Sequence, residues 1–397
     1  MNYVTGDINY GGRVTDDWDR RCLLCILGVF YNTEILKPDY KFSISGIYHI
    51  PKIQKLDEFK KYIDQLPIND PPEVFCMNNN ANITFQSYES NSIMKTIFSL
   101  QPRIGGTSSG KSSDQVCLDL IQEFSLKLPE LIKPEEGKEE LFVKTETGLI
   151  PSLSTVLLQE IDRFNKLLKT INSSMINLQK AIKGLIVMSQ ELENMFYSML
   201  NSQVPQNWVK VAYPSLKSLS SWFLDLVKRV DFMKKWLTQG IPYSFWLSGF
   251  FFPQGFMTGL LQTHARKYKI EIDRLNFSFA CLKESADEIV NYPEDGVFIY
   301  GLFLDGAGWN KEEEKLRDQN PNEIFCEMPV IHFNQIEDYE QPPNTYPCPV
   351  YKTSLRYGVL STTGQSTNFI LPIDLNSDQP SDFWTIRGTA ILCQLDK

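Results

Sequence analysis

The sequence has few histidines, few cysteines and no excess of positive charge. Its 397 residues include three histidines and eight cysteines, and 48 aspartates and glutamates outnumber 39 lysines and arginines. A phosphate-binding surface needs clustered Lys and Arg, so no nucleic-acid partner is expected. His49, His264 and His332 stand far apart, and Cys22 and Cys25 form a CxxC without a second pair. The sequence therefore predicts no metal site.

A secretory signal and a simple membrane span are also missing from the pattern. The opening MNYVTGDINYGG has neither a basic nor an apolar stretch, which predicts reduced thiols and a cytosolic compartment. Residues 236–263 are uncharged and long enough to cross a bilayer. Their prolines, glycines and polar side chains favour a buried aromatic segment over a transmembrane helix, so no membrane partner is expected.

The composition is that of a folded protein, with 42% hydrophobic and 22% charged residues, and the length suggests about two or three domains. Apolar residues recur at helical spacing through most of the first 270 residues. The first of these helices begins at Asp16 and Asp17, which are predicted to cap and charge its N-terminus. It carries Cys22 and Cys25, which we interpret as core residues.

Beyond residue 270 the apolar period falls to two, which indicates short strands without intervening helices. The predicted strand segments are 272–282, 295–310, 328–336, 346–354, 368–375 and 383–395. Such a succession favours an antiparallel barrel or sandwich. The predicted fold class is therefore α+β, with helical regions followed by an antiparallel barrel or sandwich of strands.

The longest helical pattern is a seam of apolar residues that advances by alternating steps of four and three. Its members are Leu157, Ile161, Phe164, Leu168, Ile171, Met175, Leu178, Ile182, Leu185, Leu192, Phe196 and Met199. A break is expected at residues 172–174 or at Gly184. Core packing is the favoured interpretation, with a helical pair or a coiled coil as alternatives. An independent adaptor that binds other helices through the seam is a further hypothesis.

The motif GGTSSGKS at residues 105–112 matches the nucleotide-binding P-loop pattern through Gly105, Gly110, Lys111 and Ser112. A P-loop lies between a buried strand and a helix, whereas the residues before this motif have helical spacing. A G-x-S-x-G pattern around Ser108 lacks the same strand. We therefore favour a connector, with no catalytic residue and no cofactor in the chain. An independent P-loop nucleotide-binding domain using residues 105–112 is the alternative function.

Several dense strings remain, and they resemble one family. They are YVTGDINYGGRVTDDWDRR (3–21), YPSLKSLSSWFLDLVKRVDFMKKW (213–236), FWLSGFFFPQGFMTGLLQTHARKYKIEID (245–273), DGVFIYGLFLDGAGW (295–309), CPVYKTSLRYG (348–358) and STNFILPIDL (366–375). In this order they resemble the carboxyl-terminal part of a dynein heavy chain, over essentially all 397 residues. These strings resemble axonemal dyneins, and the inner-arm dyneins among them, more than cytoplasmic dyneins. Asp7, where glutamate is expected, and His264, at an often asparagine-rich spot, are small departures.

The resemblance implies a fragment of a chain several times longer, whose motor is a ring of six AAA+ modules. It implies three parts: residues 1–132 as the small helical subdomain of the sixth AAA+ module, 133–270 as the helical part of the C-terminal domain, and 271–397 as its β-barrel. Similar chains have a GKS-like connector where residues 105–112 lie, and their hydrolytic sites are in earlier modules.

The function implied is a noncatalytic, ring-closing and regulatory region. The parent would be an ATP-driven, minus-end-directed microtubule motor of cilia and flagella, found in the cytoplasm, the cytoskeleton and the axoneme. The implied partners are the other AAA+ modules of the same heavy chain. Microtubules, dynein light and intermediate chains, ATP and magnesium are implied for the parent.

Overall fold

The computed structural model describes residues 3–43, 45–52, 55–75, 77, 79–100, 112–144, 148–356, 358–361 and 364–396, with the backbone alone at residues 95 and 98–100. Gly105, Ser108, Gly110 and Lys111 of the P-loop-like motif lie outside the described residues. A π-helical segment, Val4–Tyr10, precedes the first α-helix. The α-helices are α1 (Asp17–Phe30), α2 (Leu56–Asp64), α3 (Asn79–Leu100), α4 (Ser113–Lys127), α5 (Ser152–Ile182), α6 (Gln190–Leu200), α7 (Gln206–Val209), α8 (Leu219–Gln239), α9 (Pro253–Tyr268) and α10 (Ser381–Ile386).

The strands follow mainly after α9. They are β1 (Ser244–Trp246), β2 (Leu275–Cys281), β3 (Val297–Tyr300), β4 (Phe303–Asp305), β5 (Gly308–Asn310), β6 (Lys315–Arg317), β7 (Phe325–Glu327), β8 (Ile331–Glu337), β9 (Thr345–Tyr351), β10 (Phe369–Asn376) and β11 (Ala390–Leu392). The predicted change from helix to strand near residue 270 is confirmed, and the α+β class with it.

The seam forms the centre of the helical region. Its members on α5, from Leu157 to Leu178, are almost completely buried, as is Met199 on α6, whereas Leu192 and Phe196 are partly buried. Residues 172–174 stay helical, and the chain turns at Gly184, which has φ +71°. The seam is therefore a helical pair rather than one long coiled coil, and Leu185 lies outside its buried stripe with 70% of its surface exposed.

The aromatic segment at residues 236–263 is folded into this helical layer. Trp236 and Phe250 are 1% and 2% exposed, and their rings lie 6.1 Å apart. Pro253 stands in the first turn of α9, where its missing N–H costs no hydrogen bond. Within the described residues, no helix is both long and apolar enough to cross a membrane. The expected burial is confirmed for the aromatic residues Trp236, Phe245, Phe250 and Phe256, whereas Ile241, Tyr243 and Phe252 are 41%, 45% and 44% exposed.

The strands form sheets that remain open in the described part of the protein, so a closed barrel is not shown. One sheet has the order β1-β3-β8-β2, a second has the order β10-β9-β11-β4-β7, and β5 pairs with β6. Most neighbours are antiparallel, but β1 runs parallel to β3 and β11 parallel to β9. Both large sheets share one continuous core with the helices, to which Ile299, Phe333 and Ile373 belong.

One predicted strand segment is partly wrong. Residues 383–386 lie in α10, and only Ala390–Leu392 of the segment 383–395 pairs as a strand. Apolar runs as short as FWTI suit either structure, because three or four residues cannot distinguish a period of two from one of 3.6. Here Trp384, 1% exposed, is buried from a helix and donates its indole N–H to the Ser377 hydroxyl at 2.6 Å.

Candidate functional site

Helix α1 packs against the C-terminal strands, and we call this contact the α1 junction. It joins Asp16, Trp18, Arg21 and Cys25 to Tyr346, Pro347, Ser366, Phe369 and Asp382. The two sides are more than 300 residues apart in the sequence.

Asp16 begins α1 and also contacts the strand region. One carboxylate oxygen accepts hydrogen bonds from the backbone N–H groups of Trp18 at 2.9 Å and Asp19 at 3.3 Å, as an N-cap residue does. Its other oxygen accepts the N–H of Ser366 at 2.9 Å. Because Asp16 is only 4% exposed, one buried side chain both starts the helix and fixes it to the distant loop. The predicted capping role of Asp16 is confirmed.

Arg21 lies one turn later and makes the densest contact of the junction. Its guanidinium donates to the Pro347 carbonyl and to the Tyr346 hydroxyl, both at 3.0 Å. It also lies 4.5 Å from the centre of the Trp18 ring and 5.0 Å from that of Tyr346, as in cation–π contacts. Tyr346 in turn donates to the Thr389 carbonyl at 2.9 Å, and burial raises its pKa, so the phenol stays neutral.

The CxxC cysteines belong to the same face of α1. Both are partly exposed rather than in the core, which corrects the prediction for Cys22 and Cys25. The Cys25 thiol lies 3.2 Å from the Asp382 carboxylate on α10, and burial together with that carboxylate raises the pKa of Cys25 to about 12. Burial also raises the pKa of Cys22. Thiols that stay protonated are poor nucleophiles and poor metal ligands.

An ion pair lies at the end of β4 in the five-stranded sheet. Arg356 binds the Asp305 carboxylate and donates to the Gly388 carbonyl at 2.6 Å. Asp305 ends the apolar run FIYGLFLD, where a metal-binding aspartate would stand in a nucleotide-binding protein. The Asp305 carboxylate instead forms an ion pair with Arg356.

A second contact joins the start of α3 to the strand region. The Asn80 amide donates to the carbonyls of Asn320 at 3.1 Å and Glu323 at 3.3 Å, and its oxygen accepts the N–H of Asn322 at 3.4 Å. The contact is exposed and neutral, so it adds less than the α1 junction does.

A buried charged cluster, the Arg229 cluster, connects the helical layer to the last strand. It consists of Tyr213, Lys217, Asp225, Arg229, Ser248 and Gln394. Arg229 is 2% exposed, and its guanidinium bonds Asp225 at 2.5 Å, the Ser248 carbonyl, and Gln394 at 3.3 Å. It also lies 3.8 Å from the centre of the Tyr213 ring. Burial opposes ionisation of Asp225, but Arg229 and Lys217 outweigh it and hold its pKa below the ordinary value.

Residues 1–81 match the AAA lid domain of dynein heavy chains, and residues 87–393 match the C-terminal domain of dynein heavy chains. The protein belongs to the dynein heavy chain family. The α1 junction therefore joins the part that matches the dynein AAA lid to the part that matches the dynein C-terminal domain, whereas the Arg229 cluster lies within the latter.

Dynein heavy chains of three kinds show the similarity along the full sequence. The chain is 45% identical to human dynein axonemal heavy chain 6 over 415 residues, 45% identical to human dynein axonemal heavy chain 1 over 398, and 42% identical to Rattus norvegicus dynein axonemal heavy chain 12 over 398. Each alignment includes 100% of this chain but 10%, 9% and 13% of the relative, respectively. The chain thus spans about a tenth of the length of these dyneins.

The P-loop-like motif of this dynein chain is described only at its end. Ser112 is the N-cap of α4, and its hydroxyl accepts the N–H of Gln115 at 3.2 Å. The described backbone before the motif is helix α3, which continues to Leu100, where a P-loop would follow a strand. Since Gly105, Gly110 and Lys111 lie outside the described residues, their role stays a prediction.

Two of the three histidines lie beside the same residue, Asp295. His332 bonds the Asp295 carbonyl at 2.8 Å, and His264 lies 3.9 Å from the carboxylate of the same residue. Burial lowers the pKa of His264, which favours its neutral form. His49 is exposed and contacts the Gly46 and Ile47 carbonyls. The described residues contain no group of three His, Cys, Asp or Glu side chains placed to hold a metal ion.

Nothing in the sequence indicated that the two sides of the α1 junction meet. Asp16 was predicted as a cap, but nothing in the local pattern indicates that its second oxygen bonds Ser366. Arg21 stands out only as the end of YVTGDINYGGRVTDDWDRR, one of the strings that carry the family resemblance.

Proposed function

We propose that this chain is the noncatalytic, ring-closing and regulatory C-terminal region of a dynein heavy chain. The parent is then an ATP-driven, minus-end-directed microtubule motor of cilia and flagella, located in the cytoplasm, the cytoskeleton and the axoneme. The relatives named as axonemal heavy chains support this subtype. ATP and magnesium belong to other modules of the parent.

The α1 junction is the observation that carries this proposal. A charged guanidinium held by two hydrogen bonds and two aromatic faces is a directional contact, and it is stronger than a neutral one. A displacement of the lid part must break these bonds or move the C-terminal strands with it. The junction thus transmits motion between the two parts and restrains it, which is a regulatory rather than a chemical role.

The finer architecture is part of the same proposal. We assign residues 1–132 to the small subdomain of the sixth AAA+ module, 133–270 to the helical part of the C-terminal domain and 271–397 to its β-barrel. The common core of the two large sheets supports treating the strands as one barrel-like body. The partners are the other modules of the same heavy chain. Microtubules and the light and intermediate chains are reached through the rest of the parent.

The test uses Arg21→Ala in the full parent heavy chain. We expect a changed coupling between ATP hydrolysis and movement, measured as microtubule gliding velocity per ATP hydrolysed, because the directional contact is lost. Arg13→Ala is the matched control, since Arg13 is an exposed arginine in the same lid part. An unchanged ratio in Arg21→Ala, with the variant folded by circular dichroism, would overturn the proposal.

The role of residues 105–112 is tested separately by calorimetry on the 397-residue chain. Because we propose a connector, ATP or ADP with magnesium should give no saturable heat at protein concentrations suited to a Kd of about 100 μM, roughly 5–6 kcal/mol of binding free energy. Saturable heat that disappears in Lys111→Ala but persists in Lys127→Ala would instead establish a P-loop. Lys127 is the control because it lies at the far end of α4 in an exposed ion pair.

A further inference from the structure

Two neighbouring tyrosines are exposed beside the four-stranded sheet, and together with Ile241 we call them the tyrosine patch. Ile241 and Tyr243 lie between α8 and β1, and Tyr292 lies in the loop between β2 and β3. The three side chains are 41%, 45% and 56% exposed, and the two ring centres are 4.6 Å apart. Single exposed apolar side chains are common on protein surfaces, whereas a group of large ones rimmed by polar residues marks a contact site.

The patch is fixed from two sides. The Tyr292 hydroxyl donates to the Ile241 carbonyl at 2.7 Å, which ties the loop to the segment before β1. Three residues later, the Asp295 carboxylate accepts hydrogen bonds from the Lys267 ammonium and the Tyr268 hydroxyl of α9, both at 2.7 Å. A surface that is ordered before binding loses little conformational entropy when a partner arrives, so the patch is prepared for a ligand.

The chemistry of the two rings suits proline. Proline-rich segments adopt the polyproline II helix, and they bind surfaces lined by aromatic side chains. Backbone carbonyls in this helix have no internal hydrogen bonds, so they are free to accept one. The Tyr243 hydroxyl can supply it, because it bonds no other residue that the structure describes, whereas the Tyr292 hydroxyl is already used. The ring pair thus offers exposed aromatic surface together with a hydrogen-bond donor.

The loop that carries Tyr292 is strongly acidic. Residues 284–295 contain no lysine or arginine, and their five carboxylates are Glu284, Asp287, Glu288, Glu294 and Asp295. Lys267 pairs with Asp295 at 2.7 Å, but within the described ranges the other four form no ion pair. Asp287 and Glu294 are exposed, one on either side of Tyr292 in the sequence. The patch therefore has a negative rim along this loop.

This charge limits the partner. Carboxylates repel the phosphates of nucleic acids and of anionic membranes, and two copies of the chain would bring two acidic loops together. Lysine and arginine are attracted to the carboxylates, and they also pack on tyrosine rings through cation–π contacts. Lys138 lies beside Gly240 at the Ile241 border, so the positive charges of a ligand belong on the side of residues 284–295.

We propose that the tyrosine patch binds a basic, proline-rich segment of another protein. Its prolines pack on the Tyr243 and Tyr292 rings, and its lysines or arginines lie against the acidic residues 284–295. The inference goes beyond the proposed ring-closing function and does not rest on it, because it gives the chain a binding site for a separate polypeptide.

The test is fluorescence anisotropy with the 397-residue protein and the fluorescein-labelled peptide KPPKPPKPPK. Two control peptides separate charge from proline, because KGGKGGKGGK keeps the charge and EPPEPPEPPE keeps the prolines. At an ionic strength of about 0.05 M, where charges are little screened, the first peptide should bind with a Kd at least about tenfold lower than either control. Equal binding of either control, or no saturation up to about 1 mM, would overturn the inference.

Substitutions of the tyrosines locate the peptide on the patch. Tyr292→Ala should raise the Kd at least about tenfold because it removes a packing surface, and Tyr243→Phe at least about twofold because it removes only the hydroxyl donor. Tyr243→Phe keeps the ring, so it remains informative if the loop moves in Tyr292→Ala. The matched control is Tyr88→Ala on α3, where the tyrosine is 63% exposed. A Kd that changes as little in the patch variants as in the control would contradict the proposal.

A second pair of variants tests the acidic rim. Asp287→Asn with Glu294→Gln removes two negative charges and should raise the Kd at least about threefold, with a weaker dependence on salt. Asp57→Asn with Glu58→Gln removes the same charge from exposed positions on α2 and should leave the Kd unchanged. Equal effects of the two double variants would mean that the net charge, and not the rim, attracts the peptide.

The full parent heavy chain separates the proposed partner from the rest of the same chain. It should bind KPPKPPKPPK with an unchanged Kd, because the patch is then available to another protein. Loss of binding in the parent would show that its own modules cover the patch, and that result would overturn the inference. The readout does not involve ATP hydrolysis or movement, so its failure leaves the Arg21→Ala test intact.

Discussion

At the scale of single residues, the buried charges are each bound by several partners. The Glu160 carboxylate is 1% exposed, accepts the N–H groups of Phe251 at 2.5 Å and Phe252 at 3.2 Å, and pairs with Arg163 at 2.7 Å. It therefore fixes the segment that leads into α9 onto α5. Arg229 and Asp225 do the same for α8 and the end of the strand region. Such groups stabilise the fold only while the partner charge is present.

Asp225→Asn tests the Arg229 cluster. It leaves a guanidinium that is 2% exposed without its counter-charge, so we expect a loss of about 3–5 kcal/mol in the free energy of unfolding. Urea denaturation followed by tryptophan fluorescence measures the loss, since Trp246 lies beside Arg229. Asp231→Asn is the control: its exposed pair with Lys235, one turn along the same helix, should contribute at most about 1 kcal/mol.

The same substitution predicts a pH dependence. Because the folded pKa of Asp225 is lowered from its ordinary value of 3.8, its stabilisation is complete above that value and is lost as the pH falls through the folded pKa. The stability difference between the natural protein and Asp225→Asn should be constant from about pH 5 to 8 and shrink below about pH 4. A difference that grew on acidification would have the wrong sign for this mechanism.

At the scale of elements, the α5–α6 hairpin shows how a periodic seam is interrupted. The apolar spacing continues across the turn, so the spacing alone does not reveal where the helix ends. Gly184 sets the end of the helix, because its φ of +71° is a left-handed conformation that glycine adopts without strain. The serines at 173 and 174 do not break α5, since their hydroxyls bond the carbonyls of Thr170 and Ile171 inside the helix.

Gly184→Ala should therefore lower the free energy of unfolding by about 1 kcal/mol, the cost of the left-handed conformation for a residue with a Cβ atom. Space is not the reason, because a Cβ there would meet nothing within 4 Å. Gly12→Ala is the matched control, since it is equally unobstructed and its φ is not positive. Thermal unfolding compares the two, and equal melting temperatures would contradict the argument.

Prediction from sequence succeeded where structure is local and periodic. The spacing in α1 and α5, the cap at Asp16, and the alternation in β2 and β8 each indicated the element that forms. It failed at α10, where a short apolar run is ambiguous. It also did not anticipate the parallel pairing of β1 with β3 and of β11 with β9. Pairing partners are set by contacts between distant residues, which a single sequence does not display.

At the scale of the whole molecule, the same limit applies to the candidate site. Arg21 contacts Tyr346 across more than 300 residues of sequence, so its contacts follow from the fold and not from its neighbours in the sequence. Apolar faces are likewise ambiguous in sequence. Ile93 and Ile97 have the predicted helical spacing on α3, yet they are 60% and 45% exposed. Spacing predicts an apolar face without saying what covers it.

Helix α2 offers a test of such an uncovered face. Leu56, Phe59 and Ile63 lie on one side of it and are 70%, 38% and 60% exposed. We expect the isolated 397-residue protein to self-associate weakly through this face, because burial removes apolar surface from water. Sedimentation equilibrium should show a lower average mass for Leu56→Gln with Ile63→Gln than for Lys61→Gln, a change of an exposed residue on the charged side. Equal average masses in the two variants would exclude α2 as the contact.

The position of β11 in its sheet has a consequence for synthesis. Residues 390–392 lie between β9 and β4, although both of those strands are made earlier. Until the ribosome has released this segment, the nascent sheet has a gap at its centre and two unpaired edges, which are the surfaces that chaperones protect and that aggregate when exposed. A nonsense codon just before position 390 would therefore be a severe allele, since it removes the middle of a sheet and not a dispensable tail.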